Sequence, residues 1–367
     1  MNSLTFEVAT LADVVGKAAR IAPTKAGEAF DKGAGIHLSA VEDQVQIRAT
    51  DLKIYYLEVV DAVKVEGSPV WRLSSQILNG IMSQLQIGTG KLVTISDTED
   101  NDVSLVAGKT RAMIRKMDAA FFPAWQPFDL NELEMVPDLG ARIEQVQWAA
   151  DKSGEPPLAG IHLTGEEIVA TDRFRLCVVP CEAKPIFKPI TIPSGIFAPL
   201  MPGTMRDVAI GIGESQLYLM PDTQTQIRAA IYAVDYPNLG RAIVRTHPNK
   251  IKFKKSDFLR MVKLAMVFGL KDRIPKMKVF IGAGELAVMM SEQDLGHLGD
   301  ILDLPGQADH DRVTLLFTPK NLQDAVDACP SEEVILHYDV DKPNQQVRID
   351  GGSGYEAWVA PRRSKEE

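Results

Sequence analysis

The sequence predicts an α+β protein made of three repeated domains, each with two helices packed on antiparallel sheet. Three observations predict it. A segment recurs at a spacing of about 120 residues, the length of one compact domain. Apolar residues open each third at helical period. Alternating runs bounded by turn residues fill the remainder and read as strands.

The stretch GAGIHLSAVEDQVQIRATDLKIYYLEVV from Gly33 returns as LAGIHLTGEEIVATDRFRLCVV from Leu158. Both copies contain AGIHL, a short acidic turn, a strand ending in Ala-Thr-Asp and a further apolar strand. MKVFIGAGELAVMMSEQDL from Met277 is a fainter third copy, with Glu292-Gln293-Asp294 where the Thr-Asp pair would stand. The implied domains are 1–124, 125–246 and 247–367, joined through polar or proline-bearing stretches.

In the first third Leu11, Val14, Val15 and Ala18 form the apolar stripe of a helix, opposite Asp13, Lys17 and Arg20, and Thr10 with Asp13 suggests a capping box. Leu139, Ile143, Val146 and Ala150 do the same in the second third, leaving Arg142 and Gln145 outside. Phe258, Leu259, Val262 and Met266 face inward in the third, with Arg260 and Lys263 outward. A second helix is marked by Ile77, Leu78, Ile81 and Leu85, and another by Leu322, Ala325, Val326 and Cys329 after a Thr318-Pro319 start. In the middle third Pro199 and Pro202 shorten or kink any equivalent. Strands are expected in VQIRAT, IYYLEVV, VWRLS, KLVTIS, VSLVAG and RAMIRKM, then VAIGIG, QLYLM and IRAAIYAV, then VILHYDV, QVRIDG and YEAWVAP.

Of 367 residues, 45% are hydrophobic and 24% charged. No apolar run approaches the roughly 18 residues of a membrane span. The start MNSLTFEVATLADVV lacks the pattern of an export signal, so the cytoplasm is the expected location. Cys177, Cys181 and Cys329 are too few for a disulfide framework and lack zinc-site spacing. The formal net charge of −9 argues against a broad basic surface, though not against a locally basic inner wall.

The residues give little chemistry. Asp51 and Asp172 occupy equivalent places in separate repeats and read as strand-ending turn residues rather than a catalytic pair. His37 and His162 recur in the AGIHL strands. Gly282 to Ala287 fits a dinucleotide fingerprint in letters, but LAVMM after it reads as a strand where that motif needs a helix. No enzyme, cofactor or metal is expected.

The repeats, together with ATDRFRLCVV (Ala170 to Val179), DYPNLGRAIV (Asp235 to Val244) and WVAPRR (Trp358 to Arg363), make the chain resemble the beta subunit of bacterial DNA polymerase III, the DNA sliding clamps, over its whole length. The resemblance implies a homodimeric head-to-tail ring around double-stranded DNA, bound without sequence preference. Such a processivity factor tethers the replicative polymerase and the clamp loader through short linear motifs. It implies DNA contacts by Lys17, Arg20, Lys25, Arg142, Lys152, Arg260, Lys263 and Arg273. It implies a partner-peptide groove at Leu158, Thr171, Arg173, Phe174, Arg175, Leu176, Val244, Val359, Pro361 and Arg363. Ring closure would bring Arg111 and Met113 to Val267 and Phe268. The chain departs from the family in having Arg173-Phe174 for Gly-His, Val244 for a proline, and Ala360 and Arg362 for two methionines. These changes imply a reshaped, more basic groove.

Overall fold

A computed structural model describes residues 2–23, 34–85, 91–126, 133–151, 153–181, 189–196, 207–240, 243–269, 275–292 and 296–363. The order begins β1 (Ser3–Glu7), α1 (Val8–Ala19), β2 (Ile36–Val41), β3 (Gln44–Thr50), β4 (Ile54–Asp61), β5 (Lys64–Glu66), β6 (Val70–Leu73) and α2 (Ser75–Leu85). It continues with β7 (Leu92–Asp97), β8 (Asp102–Ala107), β9 (Thr110–Met117), β10 (Glu134–Val136), α3 (Leu139–Val146), β11 (Gly160–Leu163), β12 (Glu167–Thr171) and β13 (Arg175–Pro180). Next come β14 (Ile190–Pro193), β15 (Val208–Ile212), β16 (Gln216–Met220), β17 (Thr225–Ala230), β18 (Asn249–Lys254) and α4 (Lys255–Met266). The chain ends with β19 (Met277–Gly282), β20 (Glu285–Glu292), β21 (Gly296–Asp303), β22 (Val313–Phe317), α5 (Pro319–Asp327), β23 (Glu333–Tyr338), β24 (Val347–Gly352) and β25 (Tyr355–Val359).

The strands build three antiparallel sheets. Thirteen run in the order β10-β15-β16-β17-β4-β3-β2-β6-β9-β8-β7-β1-β5, eight as β14-β11-β12-β13-β25-β24-β23-β18 and four as β21-β20-β19-β22. Helices on antiparallel sheets make the fold α+β, as the sequence predicts. The glycine fingerprint at residues 282–287 is the turn from β19 to β20: Gly282, Ala283 and Gly284 all take positive φ, and a strand follows.

By contacts the chain divides into two compact units, Met1–Ala141 with Ile192–Ala233, and Arg142–Thr191 with Val234–Glu367. This cut differs from the threefold division because strands of the middle third join two sheets. β17 pairs with β4 and β13 with β25, so each pairing carries backbone hydrogen bonds across a sequence-defined boundary.

Helix stripes follow the 3.6-residue period. α1 buries Val8, Leu11, Ala12, Val14, Val15 and Ala18, and α4 buries Phe258, Leu259, Met261, Val262 and Ala265. Three local expectations change. α1 starts at Val8 with Glu7 as cap, and Asp13 bonds Lys17 one turn on at 2.8 Å instead of closing a capping box. α2 buries Leu78 and Met82 while Ile77 is exposed. α5 has Pro319 in its first turn, but the Thr318 hydroxyl makes no cap bond. Pro199 and Pro202 lie outside the described residues.

Candidate functional site

The site grows from the turn between β12 and β13. Thr171 Oγ1 donates to the Arg175 carbonyl at 2.7 Å and accepts from the Arg173 amide at 3.2 Å. Asp172 Oδ1 accepts from the Phe174 and Arg175 amides, both at 3.0 Å. These four bonds hold Arg173 at φ 78°, in the left-handed region where a side chain is strained. Arg173 and Phe174 consequently project outward and are exposed, whereas Arg175 turns inward and is buried. There its Nε donates to Asp172 at 2.8 Å, its Nη1 donates to Asp324 at 2.9 Å, and its guanidinium lies 5.5 Å from the centre of the Trp148 ring. Two carboxylates and a ring face satisfy a cation that burial alone would penalise.

Beside the turn, β13 and β25 run antiparallel with Leu176 opposite Trp358, and the Ala360 amide extends the ladder to the Phe174 carbonyl at 2.8 Å. Val169, Leu176, Val178 and Trp358 form a buried apolar floor, edged by Tyr236, Leu239 and Ile243. Trp358 Nε1 donates to the Val244 carbonyl at 2.9 Å, which fixes the indole in the floor. Tyr236 stacks on His162 at 4.6 Å between centroids. Burial pushes the Tyr236 hydroxyl up and the His162 imidazole down, so both are neutral at pH 7.

One cavity opens on this floor and a second adjoins it past Phe174 and Ala360. The first, about 370 Å³, is lined by Leu158, Thr171, Arg173, Phe174, Arg175 and Leu176 together with Pro237, Asn238, Leu239, Gln346, Trp358 and Ala360. The second, about 690 Å³, is walled by Asp172, Phe174, Thr318, Asn321, Asn344, Ala360, Pro361, Arg362 and Arg363. Phe174 and Ala360 line both, so a single exposed ring stands at their junction. An apolar floor with a polar, cationic rim suits an extended segment with an apolar anchor.

Eight of the ten groove residues named from sequence therefore line one cavity or the other. Val359 is fully enclosed in the sheet and Val244 contributes only its carbonyl to Trp358, so neither lines a wall. Sequence reasoning did not name the floor residue Trp358, nor Pro237, Leu239, Gln346, Asn321 and Asn344. Part of that set was visible in DYPNLG and WVAPRR.

The cations named for DNA fall into three groups. Arg20 is exposed at the end of α1, and Lys263 is exposed on α4 with no ion pair to a described residue. Lys17 is half-buried, bonded to Asp13 at 2.8 Å and Glu58 at 3.3 Å. Burial opposes its charge, yet the bonds to Asp13 and Glu58 hold its pKa above the ordinary lysine value. It does not lie on an open helix face. Arg142 donates to the Ser353 carbonyl at 3.2 Å, and Arg260 pairs with Asp300 at 2.7 Å. Lys25, Lys152 and Arg273 lie outside the described residues.

Two of the open strand edges among the described residues belong to β9 and β21. β9 pairs with β8 along its length but with β6 only at Lys116 and Met117, so Thr110 to Arg115 has one free edge, carrying Arg111 and an exposed Met113. β21, the edge of the four-stranded sheet, pairs only with β20 and presents Asp300, Ile301 and Asp303. Val267 is exposed and Phe268 half-buried just after α4. In the first unit, Ile77, Ile81 and Leu85 of α2 line a surface cavity of about 860 Å³ with Lys109 and Thr110.

All three cysteines are buried free thiols, and no cluster of His, Cys, Asp and Glu among the described residues could hold a metal. No described helix is long and apolar enough to cross a membrane.

The backbone resembles solved sliding clamps from end to end. The DNA polymerase III beta subunit of Thermotoga maritima superposes with a TM-score of 0.81 at 19% identity, over 99% of this chain and 100% of that one. The Bacillus subtilis DNA polymerase sliding clamp gives 0.79 at 17%, over 99% of each chain. The chain has the sliding-clamp fold. The Bartonella birtlesii sliding clamp gives 0.80 at 17%, over 99% of this chain and 100% of that clamp. No family model and no curated protein matches the sequence. At such identities the sliding-clamp fold is carried by buried pattern and turn chemistry rather than by matching letters.

Proposed function

We propose that the chain is a DNA polymerase processivity factor, a non-catalytic clamp that pairs with a second copy to encircle duplex DNA and tethers a polymerase through the groove beside Phe174. The observation that carries this reading is the coincidence of fold with DNA polymerase III beta subunits over 99% of the chain. In this reading residues 1–124, 125–246 and 247–367 are three clamp domains, and two chains supply the six that close a ring. The free edge of β9 would add to β21 of a second copy, with Arg111 meeting Asp303 and Met113 near Val267 and Phe268. Arg20, Arg142, Arg260 and Lys263 would supply weak, sequence-blind phosphate contacts, since a ring holds its ligand by topology and needs few of them. Replicative polymerase and clamp loader would dock as short linear segments, and the ring would work in the cytoplasm.

A second reading, an adaptor that keeps the fold without encircling DNA, is favoured by the internal pairing of Lys17 and Arg260. Light scattering after size exclusion, followed by retention on circular and linearised DNA after loading, separates the two. A dimer retained by circles and lost from linear ends supports the clamp. A monomer with no dependence on topology supports the adaptor.

A further inference from the structure

Charge on the groove rim is lopsided. Two of the carboxylates nearby, Asp172 and Asp324, are committed to Arg175, Asp324 also holds Lys320 at 2.7 Å, and a third, Asp151, lies within electrostatic reach of Arg173. Arg173 on the first cavity and Arg362 and Arg363 on the second have no ion pair to a described residue. The other polar walls of the second cavity, Thr318, Asn321 and Asn344, are neutral. Among the described residues the two cavities are therefore bordered by an excess of cations, with Arg362 and Arg363 unopposed at the second, on a chain whose formal net charge is −9. Such a patch selects acidic partners against an otherwise repelling surface.

Resting on the peptide-groove reading above, we infer that the groove takes a linear protein segment whose apolar anchor sits over Leu176 and Trp358, with acidic residues running past Phe174 to Arg362 and Arg363. The first cavity is large enough for a leucine or phenylalanine side chain and is floored to hold one. Phe174 limits that pocket, and its exposed ring gives the backbone of the passing segment a face to rest on. Beyond it Asn321, Asn344 and the two arginines offer N–H groups that donate to carboxylates.

The test uses the full-length chain and fluorescence anisotropy with three labelled peptides that share one Leu-Ser-Leu-Phe anchor. Their flanks are Glu-Glu-Glu, Gln-Gln-Gln or Lys-Lys-Lys, placed before the anchor in one set and after it in another. The glutamate peptide of at least one set should bind about tenfold more tightly than its lysine counterpart, because exposed pairs each contribute a few-fold. That ratio should shrink toward one in 0.5 M NaCl, where screening acts within about 4 Å, and in the Arg362→Gln/Arg363→Gln double variant. Equal binding of all three flanks, or a lysine preference, overturns the acidic-segment inference while leaving the groove reading intact. A glutamate preference that survives the double variant moves the selectivity elsewhere and also overturns it. Absence of binding by every peptide overturns the groove reading itself, and this inference with it.

Discussion

The same five-residue turn occurs twice, once at Thr50 to Ile54 and once at Thr171 to Arg175, and the second lines the groove beside Phe174. The bond schemes match. Thr50 Oγ1 donates to the Ile54 carbonyl at 2.8 Å as Thr171 does to Arg175, and Asp51 Oδ1 accepts two amides as Asp172 does. Leu52 and Arg173 take φ 71° and 78°. Each following strand then pairs with a later one, so that Ile54 stands opposite Ala229 and Arg175 opposite Val359. The divergence lies one place along. In the first unit Arg228 fills the register position of Trp358, its guanidinium 4.1 Å from the Tyr55 ring centre and 5.6 Å from that of Trp125, with Nη1 bonded to Gln126 at 3.0 Å. In the second unit that position is an indole that leaves a cavity above it. Thr and Asp fix the backbone in both copies, and the buried residue on the partner strand, Arg228 or Trp358, decides whether the space beside the turn is filled or open.

The sharpest break in this comparison is Trp358→Ala. Trp358 is fully buried and its Nε1 bond is satisfied, so truncation removes an aromatic floor and orphans the Val244 carbonyl. A loss of about 3–5 kcal/mol in urea unfolding is expected, with loss of every groove ligand. A loss under about 1 kcal/mol would mean that the floor collapses around the gap and is not rigid.

Next comes the pair Asp172→Ala and Asp51→Ala. Both remove two backbone bonds, but Asp172 also holds the buried Arg175, leaving Asp324 as its remaining carboxylate partner. The expected costs are about 2–3 kcal/mol at Asp172 and about 1 kcal/mol at Asp51. Equal costs in matched denaturation curves would show that Asp324 alone suffices for Arg175.

The turn and helix stripes were legible because they are local. Thr-Asp recurs in letters, and a 3.6-residue period needs one segment only. The pairing of β4 with β17 and of β13 with β25 was not legible, since partners about 170–180 residues apart leave no mark in local periodicity. Trp358 hid for the same reason: in a strand it alternates like any core residue. The helical period alone places Lys17 on the solvent side, because its second carboxylate, Glu58, comes from β4. In α2 the apolar letters Ile77, Ile81 and Leu85 outnumber the buried pair Leu78 and Met82, and only packing chooses between the faces.

The AGIHL histidines extend the comparison to pH. His37 is buried between Arg48, whose Nη2 lies 2.9 Å from Nδ1, and Arg72, whereas His162 contacts Thr191 and Tyr236. Burial first, then the two guanidiniums, lowers the His37 pKa to about 4. A histidine depressed in the folded state takes up its proton in the unfolded chain first. Its contribution is therefore complete above the unfolded pKa of about 6.5 and is lost as pH falls toward 4. By pH 5 the loss is roughly 2 kcal/mol. Thermal unfolding between pH 7 and 5 should fall more steeply for the parent chain than for His37→Gln, and parallel slopes would assign the acid sensitivity to other groups.

The smallest effect tests the strained corner itself. Leu52 and Arg173 hold left-handed φ that glycine adopts without strain, at the expense of a more flexible unfolded chain. The net gain for Leu52→Gly is expected at about 0.5 kcal/mol, with no change at the groove. Arg173→Gly should gain as much stability, because the bonds from Thr171 and Asp172 that shape the turn use backbone atoms at residues 173–175. It should also weaken the preference for acidic ligands by a few-fold, since one of three rim cations is gone. Matched gains in unfolding midpoint with a ligand effect at only one site would show that one scaffold serves both turns and that side chains alone make the second a binding site. A destabilised Arg173→Gly would instead mean that the arginine stem packs on the floor and that the two turns differ in structure as well as in use.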